Sequence, residues 1–254
     1  MEILVCVKRV PDPAENEIAV EGGGIRRDDL VYAVNEWDNY AVEEALRIVE
    51  REGGSVTVAT VGGPEADETL RREMAMGAEK ALLLSDPAFA DADGLGVARI
   101  LAAAVRKGAY DLVLTGAMAD DGAAQVGGML AELLDWPFAS LVNRVEGAGP
   151  LRIGREIEGG AQEVSDIDLP CVLSVQTGIN EPRYVGLRGI RKVASAEIPV
   201  LDAAALGVEP AAPRVRRLAY FVPETGPGAE LLEGGIPEVA ARLAGILKAK
   251  GGIK

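Results

Sequence analysis

The chain has 254 residues, 48% hydrophobic but only 4% aromatic, with 26 basic and 40 acidic side chains for a formal net charge of −14. Such a surface repels phosphate backbones and anionic lipid, which argues against nucleic-acid binding, and the sequence holds no run of about 18 apolar residues for membrane insertion. Histidine is absent, which removes Ser-His-Asp and Cys-His nucleophiles and every His-ligated metal site.

ILVCV (3–7) has the pattern of a strand buried on both faces. This apolar start is too short for a signal peptide, so a cytoplasmic protein is expected. A polar stretch follows, with a hairpin expected around Glu21 to Gly24. NEWDNYAVEEALRIVEREGG then predicts a helix with Ala41, Ala45, Leu46, Ile48 and Val49 on one face and Gly53-Gly54 as its stop. SVTVATV (55–61) is the next strand, 66–78 a helix ending at Gly77, and KALLL (80–84) a third strand. Residues 95–108 are a helix, 110–116 a fourth strand and 123–134 another helix.

This alternation with short loops predicts an α/β fold: a parallel sheet with helices on both faces. Ligands bind such sheets beyond the carboxyl ends of the strands. The loops after Val7, Val61, Leu84 and Thr115 are therefore the ones to inspect. From about residue 138, ASLVNRV, LRIGREIE, AQEVSDI and CVLSVQT are strand-like and separated by Gly-rich turns, predicting an antiparallel extension. Residues 200–236 carry little core pattern and many Pro, Gly and Glu, as expected of an arm poorly ordered without a partner. A last helix is expected over 237–251. The division expected is a nucleotide-binding domain over 1–199 and a partner-binding arm and helix over 200–254.

The dinucleotide fingerprint GxGxxG and the P-loop are absent, and GLGVAR (94–99) only begins like the former. That disfavours an ordinary NAD-dependent dehydrogenase. TGAMADDGAAQVGG (115–128) is small, Gly/Ala-rich and acidic, and runs into a helix. Small side chains let a ligand approach the backbone, and a helix N-terminus offers N–H groups to a phosphate. A plain strand-to-helix connector has the same pattern. Asp120 and Asp121 suit ribose hydroxyls or a helix start equally. GGP (62–64) is a second tight turn on the same sheet edge. Asn35 and Asp38 either cap a helix or face that crevice. RYVGLRGIRK (183–192) gathers Arg183, Arg188, Arg191 and Lys192 around Leu187, which suits docking of an acidic protein surface or a solvated loop. Cys6 and Cys171 lie in apolar strand-like runs and are expected as small buried hydrophobes.

Several segments together carry a resemblance. VCVKRVPD (5–12), YAVEEALR (40–47), ETLRREMAMGAEKALLL (68–84), DLVLTG (111–116), AQVGGMLAELLDWP (124–137), REIEGG (155–160) and NEPRY (180–184) with the following LRGI make the chain resemble the β subunit of electron transfer flavoprotein, including FixA-like relatives. The likeness runs nearly end to end. It implies a Rossmann-like fold of the adenine-nucleotide α-hydrolase type and an α subunit, as obligate partner, that carries most of a shared FAD. It implies no bond-making chemistry in this chain, only binding and tuning of a flavin. Electrons would pass from acyl-CoA or other dehydrogenases, or NADH, to a quinone oxidoreductase or to ferredoxin or flavodoxin.

By position, the resemblance places Cys6, Asn35, Asp38, Gly62, Gly63 and Thr115 at the nucleotide, with Asp121, Gly122, Ala123, Ala124, Gln125, Val126 and Gly127 as the phosphate loop. Glu156 matches a residue that pairs with the α subunit. Leu187 matches the dehydrogenase anchor, with Arg183 and Arg188 beside it. Departures are Pro13, where many members have an aromatic residue, and a phosphate loop one residue short. AMP-binding members show Asn-Gln-Thr-Gly where this chain has Ala124-Gln125-Val126-Gly127, which is closer to members holding a second FAD. The expectation is therefore a second FAD rather than AMP, permitting electron bifurcation. The alternatives are a non-redox adenine-nucleotide-binding stress or regulatory protein of similar fold, and a hydrolase or ligase of that superfamily.

Overall fold

The computed structural model describes residues 1–119, 122–209, 212–224, 226 and 228–252. Asp120 and Asp121 lie outside the described residues. The chain forms two compact units: Met1–Ala19 with Arg26–Leu218, and Val20–Ile25 with Ala219–Lys254.

β1 (Glu2–Cys6) is buried from Ile3 onward. The polar stretch after it contains β2 (Arg9–Pro11) and, in the second unit, a hairpin of β3 (Val20–Glu21) and β4 (Gly24–Ile25). Gly22 and Gly23 turn that hairpin at φ 59° and 79°, the pair of positive values that matches the twist of two-residue hairpins. β5 (Tyr32–Val34) pairs antiparallel with β2, and the Arg9 guanidinium stacks 3.5 Å from the Tyr32 ring centroid. Both strands are three residues long, too short to show a period in the sequence.

Next come α1 (Glu36–Glu52), β6 (Ser55–Val61), α2 (Asp67–Met76), β7 (Lys80–Leu84), α3 (Gly94–Val105), β8 (Leu112–Gly116) and α4 (Val126–Leu134). The expected alternation is present. α4 begins later than residue 123 because Ala124 has φ 54°, a left-handed conformation that a helix cannot contain. β9 (Phe138–Glu146), β10 (Leu151–Ile157), β11 (Ala161–Ile167), β12 (Cys171–Val175), α5 (Leu187–Val193), β13 (Val200–Leu201), α6 (Ala203–Leu206) and α7 (Ile236–Ala249) complete the chain.

Among the described residues the main sheet has nine strands in the order β11-β10-β9-β12-β8-β1-β6-β7-β13. Pairing is parallel from β9 to β13 and antiparallel across β9-β10-β11. The antiparallel extension therefore exists but excludes CVLSV. β12 lies inside the parallel sheet, between β8 and β9, with all five residues buried. A continuous apolar run is what a strand covered on both faces needs. β11, by contrast, is exposed along nearly its whole length at the sheet edge.

α1 and α2 cover one face, burying Ile3, Val5, Val56 and Val58. α3 and α4 cover the other, burying Leu4, Cys6, Ala59 and Val113. The alternation of Ile3 and Val5 against Leu4 and Cys6 is the two-residue period of a strand. Residues 200–206, expected to begin the arm, add β13 to the sheet edge and place Leu206 in the second core. In the second unit, α7 has no buried residue, and its Leu243, Ile246 and Leu247 are exposed. Among the described residues no helix is long and apolar enough to cross a membrane.

Candidate functional site

From β1 the chain passes through α1 to β6 and through α2 to β7, then returns to the other side of β1 as β8. The carboxyl ends of β1 and β8 therefore flank a topological switch point, the usual crevice for ligands in such sheets. Cys6 and Thr115 are partners in register there.

The first turn of α1 spans this crevice. The Asn35 backbone N–H donates to the Lys8 carbonyl at 2.9 Å, and its side-chain amide donates to the Met118 carbonyl at 2.9 Å. Asp38 accepts from the Lys8 N–H at 2.8 Å with one oxygen and from the Gly116 N–H at 3.0 Å with the other. Neither side chain caps α1; both tie the loop after β1 to the loop after β8. A Cβ on Gly116 would lie 2.4 Å from Asp38 Oδ1 and 2.7 Å from Trp37 Cβ, so only glycine lets the strand end come this close.

Burial pushes the Asp38 carboxyl from its ordinary 3.8 up to about 7, opposed by hydrogen bonds from Asn35 and from the Lys8 and Gly116 amides. Burial, then the Asp38 charge, raises the Cys6 thiol, and burial pushes Cys171 to about 12. Both cysteines are free and buried, as small hydrophobes.

Gly62 and Gly63 follow β6, the neighbour of β1. Gly62 donates its N–H to the Leu84 carbonyl at 3.2 Å, and Gly63 opens the short 3₁₀ turn Pro64–Ala66. On the β8 side, Thr115 Oγ1 and Ser174 Oγ share a buried 2.9 Å hydrogen bond. A Cβ on Gly127 would fall 2.3 Å from Ser174 Oγ and 3.0 Å from Thr115 Oγ1, so α4 starts pressed onto β8 and β12. Gly122, Ala123, Ala124 and Gln125 are exposed, and Val126 is half-buried. The structure thus joins Cys6, Asn35, Asp38 and Thr115 at one crevice, with Gly62–Gly63 and the 122–127 segment on the flanking loops.

These residues fit a nucleotide. The Gly116 and Lys8 amides are committed to Asp38 and the Gly122 amide to the Ala119 carbonyl, so an anion at this edge would meet the exposed residues 123–125 that lead into the nine-residue α4. Among the described residues no group of three His, Cys, Asp or Glu is placed to hold a metal.

A second cluster lies on α1, two turns beyond Asp38. Asn180 donates to the Tyr40 carbonyl at 3.0 Å and to Glu44 at 3.1 Å, and Arg47 donates to the Glu181 carbonyl at 3.0 Å. Arg183 donates through Nε to Glu43 at 2.8 Å and through Nη1 to Glu50 at 2.6 Å, while its backbone N–H reaches Glu43 at 3.1 Å. Burial alone would raise Glu43, but hydrogen bonds from Arg183 and Arg47 hold it below its ordinary value. Leu187 is 72% exposed and Tyr184 92% exposed, and Arg188, Ile190, Arg191 and Lys192 are also exposed. Glu156 is exposed on β10 and is not brought to the crevice or to this segment, since β9, β12 and β8 separate β10 from β1. Sequence reading missed Glu43, Glu44, Arg47 and Glu50. Their signal was the spacing EE-x₂-R-x₂-E, with acidic and basic residues on one helical face.

Residues 23–206 match the electron transfer flavoprotein domain. The chain is 37% identical to the electron transfer flavoprotein subunit beta of Methylophilus methylotrophus, over 97% of this chain and 98% of that one. It is 35% identical to FixA of Azotobacter vinelandii over 82% of this chain and 77% of that one. It is 37% identical to subunit CarD of the caffeyl-CoA reductase-Etf complex of Acetobacterium woodii, over 98% of this chain and 99% of that one.

Proposed function

The chain belongs to the electron transfer flavoprotein family as a β subunit, a family that works with an α subunit and a flavin, and from that premise we propose a heterodimeric electron carrier in which this subunit holds its own nucleotide at the β1–β8 crevice. The observation that carries the site reading is Asp38, which bridges the loops after β1 and β8, the second of which runs on to the small exposed residues before α4. The 122–127 segment would hold phosphates. Cys6, Asn35, Asp38, Gly62, Gly63 and Thr115 would line the remainder.

The nucleotide we favour is a second FAD rather than AMP. Val126 offers no hydroxyl and Ala124 no amide to a monophosphate, and Ala123 and Ala124 leave room for a diphosphate along the helix start. When bound, flavin supplies electron storage and transfer, and a second one would let the complex split electron pairs from NADH between a high- and a low-potential acceptor. This chain's own residues bind, orient and exclude water; Asp38, buried, holds the two strand ends together. Contacts to the α subunit would come from Glu156 in the first unit and, separately, from the second unit, whose Phe221, Leu231 and Leu243 are exposed. Leu187 and Arg188 dock a dehydrogenase, with a quinone oxidoreductase or ferredoxin or flavodoxin as acceptor.

Co-expression with the α subunit tests this reading. The expected product is a yellow complex whose flavin is reduced by a dehydrogenase or NADH and reoxidised by an acceptor. A colourless chain that binds adenine nucleotide alone would instead favour a non-redox regulator.

A further inference from the structure

The cationic residues between 183 and 192 are not equivalent. Arg188, Arg191 and Lys192 are exposed. Arg183 is turned back onto α1, where its Nη2 also reaches Glu43 and Glu50, at 3.2 Å each. Glu43 is 2% exposed, and its oxygens also take the Arg47 Nε at 2.8 Å. Charge-assisted, multiply bonded pairs of this kind fix geometry as well as adding energy.

The far end of the segment is held differently. Arg71 on α2 donates to the Val193, Ala194 and Ala196 carbonyls at 2.7, 3.2 and 3.1 Å, closing the end of α5. A Cβ on Gly189 would lie 2.6 Å from the Ala75 carbonyl oxygen, so α5 lies directly on α2. Between these anchors Tyr184 and Leu187 project outward. The segment is therefore pinned at its root to one helix and at its end to another.

We propose that Arg183 is a positioning residue: clamped between Glu43 and Glu50, it fixes the root of segment 184–193 so that Leu187 and Arg188 are presented to the partner, and it adds no charge of its own to the encounter. This rests on the docking reading above. An exposed steering cation contributes to the salt dependence of association, whereas a guanidinium neutralised by two carboxylates does not. The clamp grows from the helix that Asn35 precedes and that carries Asp38 in its first turn.

The test uses the assembled heterodimer with Arg183→Ala, Arg188→Ala and Leu187→Ala. Amide hydrogen exchange across 184–193 is expected to rise about tenfold or more in Arg183→Ala, as for a segment that loses its anchoring contacts. The KM for the dehydrogenase should rise, while flavin absorbance and reduction by a small dye stay as in the parent. In Arg183→Ala with Glu50→Gln, which restores the net charge, the salt slope should also stay as in the parent. Arg188→Ala should flatten the salt slope and leave exchange unchanged. Glu50→Gln, which loosens only the outer half of the clamp, should reproduce the Arg183 pattern more weakly and covers the case in which Arg183→Ala fails to fold. Adding Arg183→Ala to the Leu187→Ala/Arg188→Ala double variant should raise KM no further. Unchanged exchange in Arg183→Ala, or a flattened salt slope in Arg183→Ala with Glu50→Gln, would overturn the clamp. A KM unmoved by Leu187→Ala while Arg183→Ala still loosens the segment would overturn the docking reading, and the proposal with it.

Discussion

Asp38 accepts a 3.0 Å hydrogen bond from the amide of Gly116, a residue 78 positions away, and so ties the first turn of α1 to the carboxyl end of β8. Its folded carboxyl is raised by burial from 3.8 to about 7. The proton it holds below that value is lost as pH rises through 7, leaving a buried negative charge beside the proposed phosphate site. Nucleotide retention should therefore fall between pH 6 and 8, and Asp38→Asn should remove that dependence. The same variant leaves one amide without an acceptor, which costs about 1–3 kcal/mol. Gel filtration at pH 6, 7 and 8, with the nucleotide quantified in each fraction, checks this. A pH profile identical to the parent's would contradict it.

Glu73 gives a second pH signature. It is 0% exposed, and neither carboxylate oxygen has a hydrogen-bond partner among the described residues. Burial pushes it from 4.5 to about 8, with the Arg72 charge opposing and the Asp38 charge adding. An acid whose folded value is raised favours the native state at low pH. That contribution is lost at roughly 1.4 kcal/mol per pH unit between its unfolded and folded values. Thermal midpoints of the complex should fall from pH 5 to 8 and fall much less in Glu73→Gln, with the variant the more stable at pH 8. Parallel profiles would show that Glu73 has found a partner.

Gly127 and Gly128 are neighbours in α4 with opposite expectations. A Cβ on Gly127 would meet Ser174 Oγ at 2.3 Å, and moving that hydroxyl breaks its buried bond to Thr115. Gly127→Ala should cost about 1–3 kcal/mol by overpacking and loosen the nucleotide. On Gly128 the nearest atom is a Phe138 ring carbon at 3.4 Å, an ordinary contact. Gly128→Ala should be neutral or add about 0.5–1 kcal/mol through helix propensity. Denaturant unfolding of both variants gives the comparison, and equal effects would contradict the close packing of α4 on the strand ends.

Leu187, 72% exposed, lies beside the exposed cations Arg188, Arg191 and Lys192. Leu187→Ala should slow electron transfer from the dehydrogenase at limiting carrier, losing about 2 kcal/mol of docking, and leave flavin content unchanged. Raising salt should slow the parent as well. An unchanged rate in the variant would make the exposed face of α5 a solvated surface with no docking role.

The alternating layers were legible because each element is long enough to show its period. β12 was misplaced although its five buried residues carry the same signature as β1; position after two polar hairpin strands outweighed composition. β2, β5 and β13 were invisible because strands of two or three residues have no period. At the crevice, the sequence located the strand ends, but not that Asn35 and Asp38 bridge them rather than cap α1, since both roles use the same side-chain atoms. Arg183 and Arg188 are alike in sequence, and only the facing carboxylates of α1 separate them. Glu73 was a readable anomaly: it interrupts the buried line of Leu70 and Met76 on α2.

The central claim is that this β subunit holds a redox nucleotide of its own beside the flavin shared with its α partner. Denaturing the purified heterodimer and separating the released cofactors by chromatography tests it most directly. Two FAD per heterodimer is the expected result; one FAD with one AMP would contradict it.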